Sequence, residues 1–134
     1  MQTPAPCDYE RATSVDGAIA SLQRVGAGAR IIAGGHSLIP MMKLRLANPG
    51  HLIDLQAIEG LRGIEIAGGQ IRLGALVTQH EIIASKALAD ACPLLREAAL
   101  QIADPQVRYC GTIGGNVANG DPGNDLPAVM YGPA

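Results

Sequence analysis

The segment RIIAGGHSLIPMMKLRLANP, residues 30–49, constrains the fold more than any other stretch of this sequence. The apolar run Arg30–Ala33 predicts a short strand, and the pair Gly34–Gly35 ends it, because glycines interrupt regular structure. The apolar residues from Leu38 to Leu46 are interrupted by Pro40, which lacks a backbone donor. We therefore expect a strand, a glycine turn, and then a loop that runs into a short helical turn.

The glycine turn of that segment has a counterpart late in the chain. Residues 33–37 are AGGHS and residues 112–116 are TIGGN, and we call them the first and the second glycine segment. Adjacent glycines let backbone N–H groups approach an anion and form a concave nest. Neither segment matches the GxxxxGK(S/T) phosphate loop or the GxGxxG fingerprint. Two nests could hold the two phosphates of one dinucleotide, although a glycine pair is more often only a turn.

Local signals predict the other strands. Short strands are expected around Tyr9 and at His51–Leu55. Apolar residues alternate with polar ones in residues 64–66 and 71–73, on either side of Gly68–Gly69. A tight hairpin turn requires positive φ, which glycine tolerates, so this pair predicts a β-hairpin.

Three start signals predict helices. Ser14 can cap a helix, Thr78 and Glu81 form a capping box, and Pro93 suits a first helical position. One continuous helix is expected after Thr78. The side chains expected on its buried side are Ile82, Ile83, Ala87 and Leu88.

Residues 104–134 are rich in glycine, proline and small polar side chains. This composition is typical of a functional loop, although a plain surface loop would look equally polar. Within it, Cys110 is expected to be a small buried residue. Asp104, Pro105 and Arg108 are expected to form a structural turn or, for Arg108, a contact with a ligand or partner.

Composition narrows the function classes. The 134 residues carry a net charge of -2, with no Phe or Trp, which argues against binding of nucleic acid through a basic face or aromatic stacking. No apolar run is long enough for a transmembrane helix. Three widely spaced cysteines favour free thiols and a cytoplasmic location. His51 and His80 are expected at the surface or at a cap, and no metal site is expected.

Three stretches carry a resemblance to a known family. They are AGGHSLIPMMKLRLANP at 33–49, GIEIAGGQIRLGALVTQHEIIAS at 63–85 and YCGTIGGNVANGDPGNDLPA at 109–128. Together they resemble the FAD-binding medium subunit of molybdenum hydroxylases, most closely the carbon monoxide dehydrogenase type and more distantly the xanthine dehydrogenase flavin domain. The resemblance implies an α+β fold of the FAD-binding type-2 class, shared with vanillyl-alcohol oxidase (PCMH-like). It also implies a first subdomain at about 1–57 and an incomplete second one at about 58–134.

The resemblance also implies which residues bind FAD. The first glycine segment would wrap the pyrophosphate, and the second would bind the pyrophosphate and lie along the flavin. An acidic residue of the following DPxxD element, Asp125, would contact the ribose or the adenosine side. The implied cofactor residues are Ala33, Gly34, Gly35, His36, Ser37, Thr112, Ile113, Gly114, Gly115, Asn116 and Asp125.

The implied complex places the other redox centres elsewhere. A molybdopterin large subunit would oxidise the substrate, and an iron–sulfur small subunit with two 2Fe–2S clusters would pass electrons to FAD on this chain and then to an external acceptor. No catalytic residue is expected here, since the chain positions the cofactor. The chain resembles an N-terminal portion of the family, so we expect it to bind FAD weakly or not at all by itself. A stand-alone flavin reductase and a non-catalytic interaction fragment stay open as alternatives.

Overall fold

A computed structural model describes residues 2–102 and 104–131. The chain divides into two compact units, residues 1–60 and 61–134, which we call the first and the second unit. Both strands and helices are present, as the α+β prediction requires. The predicted subdomain limits of about 1–57 and 58–134 stay a prediction.

The first unit is built on a three-stranded parallel sheet. Its strands are β1 (Asp8–Arg11), β2 (Ala29–Ile32) and β3 (His51–Asp54), in the order β1-β3-β2. The central strand β3 has hydrogen-bonded neighbours on both edges, and its Ile53 is completely buried. Parallel neighbours require a crossover connection. The segment between β2 and β3, which contains the first glycine segment, supplies one.

Two helices complete this unit. Helix α1 (Val15–Val25) begins at Ser14, whose hydroxyl accepts from the Gly17 N–H at 3.0 Å, and it contacts β2 and β3. Helix α2 (Leu38–Lys43) begins directly after the first glycine segment. The predicted short helical turn is therefore present, but the loop expected before it is absent, because the helix starts at Leu38. Pro40 occupies the first turn of α2, where backbone N–H groups have no intrahelical partner, so its missing donor does no harm.

Glu10 on β1 lies in a small polar cluster and yields a testable pH dependence. Its carboxylate accepts from Arg24 and lies 3.0 Å from Nε2 of His51. The Ser21 hydroxyl, followed by Arg24 and His51, lowers the pKa of this carboxyl below 4.5 against an opposing effect of burial. A lowered folded-state pKa stabilises the protein above the unfolded-state pKa, and that stabilisation is lost as the pH falls through the folded-state value.

We therefore expect the wild-type chain to lose stability more steeply below about pH 4.5 than a Glu10→Gln variant. Urea unfolding followed by circular dichroism at several pH values measures the difference. Parallel stability curves for the two chains between neutral and acidic pH would contradict the assignment.

The second unit begins with the predicted hairpin. Strands β4 (Ile64–Ala67) and β5 (Gln70–Leu73) pair antiparallel, with Ile66 opposite Ile71. Gly68 and Gly69 have φ of +57° and +73°, as a tight turn between right-twisted strands requires. The sequence-based hairpin prediction is confirmed.

Helices α3 (Gln79–Ala84), α4 (Lys86–Ala91) and α5 (Pro93–Gln101) follow. The Thr78–Glu81 capping box and the start at Pro93 are confirmed. The single predicted helix after Thr78 is instead two helices, because Ser85 has an extended conformation and its hydroxyl accepts from the Leu88 N–H to start α4. Ile82 and Leu88 are buried, as predicted, whereas Ala87 is exposed.

Residues 104–131 form three further helices and not the predicted loop. They are α6 (Pro105–Cys110), α7 (Ile113–Asn119) and α8 (Asp125–Met130). Side chains of Asp104 and Thr112 cap the first two by accepting backbone N–H groups, so the small polar residues initiate helices. Gly132 and Pro133 lie outside the described residues. The core of the unit is a cluster of buried side chains: Val77, Ile82, Leu88, Leu95, Ala98, Ala99, Ile113 and Leu126.

Other expectations have mixed outcomes. The three cysteines are free thiols, as predicted, but Cys110 is exposed and not buried. His51 is mostly buried beside Glu10, whereas His80 stacks on Tyr109 with ring centroids 4.1 Å apart. Among the helices of the described residues, none has the length and apolar character that a bilayer crossing demands.

Candidate functional site

The first glycine segment joins β2 to α2 in the first unit. Gly35 has φ +77°, and its carbonyl accepts from the Ile39 N–H at 2.9 Å, which anchors the start of α2. The Ala33 carbonyl accepts from Nε2 of Gln56 at 2.9 Å. The carbonyl groups of Ala33 and Gly35 therefore both accept hydrogen bonds from within the protein.

Four backbone N–H groups of this segment have no acceptor among the described residues. Within residues 2–102 and 104–131, no backbone carbonyl accepts from the N–H groups of Gly34, Gly35, His36 or Ser37. Both His36 and Ser37 are exposed, and the Ser37 side chain does not cap α2. Consecutive free N–H groups around a left-handed glycine are the arrangement that binds phosphate oxygens.

The second glycine segment is held differently, by pairing with residues 75–79. The N–H of Ile113 donates to the Val77 carbonyl at 2.8 Å, and that of Gly114 donates to the Ala75 carbonyl at 2.9 Å. Thr78 and Thr112 form an isolated antiparallel bridge beside these hydrogen bonds. The start of α7 is therefore fixed against the segment that leads into α3.

The other backbone amides that the sequence suggested as anion donors in this segment also have acceptors inside the protein. The Gly115 N–H donates to Oγ1 of Thr112 at 3.1 Å, and the Asn116 N–H donates to the Thr112 carbonyl at 3.0 Å. With Ile113 and Gly114 paired as well, the backbone N–H groups of residues 113–116 all have partners inside the protein. Among the described residues, glycine N–H groups without a backbone acceptor therefore occur in the first segment and not in the second.

The second segment offers acceptors in place of donors. Oδ1 of Asn116 is buried and, among the described residues, has no hydrogen-bond partner. The Asn116 carbonyl accepts from Nδ2 of Asn124 at 2.9 Å, which links the segment to the start of α8. Asp125, the first residue of α8, is exposed. A buried oxygen without a donor favours a group that brings an O–H or N–H.

Gly114 has a packing reason to be glycine. A Cβ at this position would lie 2.7 Å from both the Cβ and the carbonyl oxygen of Ala75. Helix α7 therefore approaches residue 75 more closely than any side chain permits.

No sequence signal pointed to Gln79, and Arg108 was left with two possible roles, a structural turn or a contact with a ligand or partner. Gln79 is only 2% exposed, yet a polar residue in the first turn of a short helix carries no sequence signal for burial. Arg108 donates from Nε to the Ile102 carbonyl at 2.8 Å and from Nη2 to the Leu100 carbonyl at 2.9 Å. Arg108 therefore stabilises the C-terminal end of α5, in agreement with the structural one of its two predicted roles.

In the described part of the chain, no cluster of His, Cys, Asp or Glu could hold a metal ion.

The two glycine segments belong to different units, the first to residues 1–60 and the second to residues 61–134. The structure describes each segment within its own unit. Their joint contact with one diphosphate stays a prediction, as do the individual cofactor-binding roles of the residues in both segments and of Asp125.

Comparison with known proteins adds independent findings. The sequence model of the family described as "FAD binding domain in molybdopterin dehydrogenase" matches residues 5–132. The carbon monoxide dehydrogenase medium chain of Afipia carboxidovorans is 56% identical over 127 residues, which are 95% of this chain and 44% of that protein. A crystal structure of a Cu,Mo-containing CO dehydrogenase matches with a TM-score of 0.92 at 56% identity, over 95% of this chain and 44% of the other.

A more divergent structure shows the same likeness. Quinoline 2-oxidoreductase from Pseudomonas putida 86 matches with a TM-score of 0.91 at 35% identity, over 97% of this chain and 45% of that one. The chain therefore spans a little less than half the length of the relatives it matches.

Proposed function

This chain belongs to the family of FAD-binding domains in molybdopterin dehydrogenases, and from that premise we propose that it holds FAD as the N-terminal portion of a molybdenum hydroxylase medium subunit. The predicted family and fold class are confirmed. FAD is the cofactor of the family. The substrate oxidised by the complex is set by another subunit in this proposal.

The observation that carries the proposal is the row of free amides in the first glycine segment. Four consecutive N–H groups, from Gly34 to Ser37, lack a backbone acceptor among the described residues. A diphosphate carries several acceptor oxygens and no donor at neutral pH, so it complements this row. Exposed His36 and Ser37 add side-chain donors beside it.

The second glycine segment fits a different part of FAD. The backbone N–H groups of residues 113–116 are used internally, whereas Oδ1 of Asn116 is buried without a donor among the described residues. The ribityl chain and the isoalloxazine ring carry O–H and N–H groups that such an oxygen accepts. The hydroxyl of Thr112 accepts from Gly115 and has one proton to donate. We assign the diphosphate mainly to the first segment and the polyol or ring mainly to the second.

Bound FAD would supply the electron-transfer chemistry, taking electrons from the complex and passing them to an external acceptor. The residues of this chain bind and orient the cofactor, and hydrogen bonds from Thr112 and Asn116 would tune its reduction potential. The proposed partners are an iron–sulfur small subunit and a molybdopterin large subunit, because the relatives are chains of molybdenum dehydrogenase complexes. We place the complex in the cytoplasm, in keeping with the three free cysteines.

Ligand titration tests the proposal. Ligand-observed NMR detects dissociation constants into the millimolar range, so it registers weak binding by the 134-residue chain. Of the two outcomes expected from the resemblance, weak binding or none, the amides of residues 34–37 favour weak binding. We therefore expect FAD to bind weakly, and riboflavin, which lacks the diphosphate, to bind at least about tenfold more weakly still.

Two results would contradict parts of this picture. No FAD signal at millimolar ligand would favour the non-catalytic interaction fragment over a cofactor-binding domain. Tight, stoichiometric binding would show that the chain needs no further portion to complete its site, as a stand-alone flavin reductase would require.

A further inference from the structure

Gln79 has a place in the second unit that the proposed function does not use. Among the described residues, the buried polar or charged side chains are only two, Gln79 at 2% exposed and Thr112 at 3%. They lie on the paired segments that join α3 to α7, where Thr78 bridges Thr112. Buried polar side chains are normally hydrogen-bonded, so each one requires an explanation.

Backbone and side chain of Gln79 both face Gly111, the residue before the second glycine segment. The Gln79 N–H donates to the Gly111 carbonyl at 3.1 Å. A Cβ added to Gly111 would lie 2.6 Å from Oε1 and 3.3 Å from Cδ of Gln79. The side-chain amide therefore packs against the Gly111 backbone and sets the path into Thr112.

This amide is incompletely bonded. Oε1 of Gln79 is buried and has no hydrogen-bond partner within the described part of the chain. The other buried side-chain atom in this condition is Oδ1 of Asn116, one helical turn beyond Thr112. Both orphaned atoms are acceptors, and both flank the same threonine. An apolar side chain of equal length would fill the space beside Gly111 without an unpaired oxygen.

We propose that Gln79 is a positioning residue for the flavin end of FAD, whose side-chain oxygen receives a donor only when the cofactor is bound. The inference rests on the proposed function. The donor is an O–H or N–H that comes with the ribityl–isoalloxazine portion or is turned inward by it, since a phosphate has no proton to give at neutral pH. Gln79 packs against Gly111 in the free chain as well, but the hydrogen bond to its Oε1 forms only with the cofactor, so its contribution to affinity appears in the bound state.

The variant Gln79→Met tests this, because methionine keeps the length of the side chain and removes the unpaired acceptor. Without ligand, we expect the variant to unfold at the same temperature as the wild type or higher. Its affinity for FAD should fall about tenfold, the usual worth of one buried hydrogen bond. Its affinity for ADP, which lacks the flavin end, should not change. Gln79→Leu provides a second apolar variant.

The measurements distinguish a failure of the role proposed for Gln79 from a failure of the proposed function. An unchanged FAD affinity in a folded variant overturns the role of Gln79 while the proposed function stands. Equal losses of FAD and ADP affinity, or a lowered unfolding temperature without ligand, indicate a purely structural role and overturn it as well. If the wild-type chain gives no FAD signal, the proposed function is contradicted, and so is the inference that rests on it. The flavin absorption spectrum of the bound state, shifted between wild type and variant, provides a readout independent of affinity.

Discussion

Replacing Gly35 with valine is expected to lower the affinity for FAD at least about tenfold, because it removes the conformation that exposes the free amides of the first glycine segment. Gly35 has φ +77°, a region that β-branched residues avoid. A Cβ there would also lie 2.8 Å from Cδ1 of Ile39, a contact that the added methyl groups would worsen. The turn would have to change its conformation, and its N–H groups would lose the arrangement that we propose for binding the diphosphate.

The matched control is Gly26→Val in the same unit. Gly26 has φ +74°, and a Cβ there meets no atom within 4 Å, so the control also places valine at a positive φ, away from the glycine segment. Ligand-observed NMR compares FAD binding by the two variants, and circular dichroism verifies that both are folded. Equal FAD affinities for a folded Gly35→Val chain and for the wild type would count against the first segment as the diphosphate site.

Replacing Gly114 with alanine is expected to lower the free energy of unfolding by about 2–3 kcal/mol. The new Cβ would lie 2.7 Å from the Cβ and from the carbonyl oxygen of Ala75. The contact includes backbone, which cannot rotate away as a long side chain could. Helix α7 would have to shift, lengthening the 2.9 Å hydrogen bond from the Gly114 N–H to Ala75 and weakening the burial of Ile113.

Gly60→Ala is the control, since a Cβ at residue 60 meets no atom within 4 Å and its φ is not in the left-handed range. Urea unfolding measures both variants. We expect the control to stay within about 0.5 kcal/mol of the wild type. A Gly114→Ala chain with the same stability as the control would show that the close approach of α7 to residue 75 is dispensable.

Signals that depend on a few neighbouring residues predicted their elements correctly. Gly68–Gly69 between alternating runs predicted the hairpin, and Thr78 with Glu81 predicted the start of α3. Such signals work because turn and cap geometry is determined within four or five residues. Residues 104–131 were misjudged for a related reason. Their small polar residues are helix caps as well as loop residues, and short helices leave no long apolar period to detect.

The candidate site was predictable only in part. Its residues could be listed from the two glycine segments and their resemblance to one family. Their hydrogen bonding could not be predicted. Within the described part of the chain, the Gly-Gly pair after β2 has N–H groups without a backbone acceptor, whereas the pair at the start of α7 has both N–H groups occupied. Part of the difference arises from residues 75–79, which are distant in sequence and accept from Ile113 and Gly114. Thr112, within the segment, accepts from Gly115 and Asn116.

The sequence by itself determined the family, the hairpin, the main helix starts and the positions of the two glycine segments, since all of these are written in local residue patterns. Only the tertiary structure decided which backbone amides lack an acceptor among the described residues, and that Gly114 is glycine because Ala75 lies against it. It also decided that Gln79 is buried beside Gly111, with an oxygen that has no donor in the described part of the chain. Hydrogen-bond partners and burial depend on contacts between residues far apart along the chain, and no local pattern encodes them.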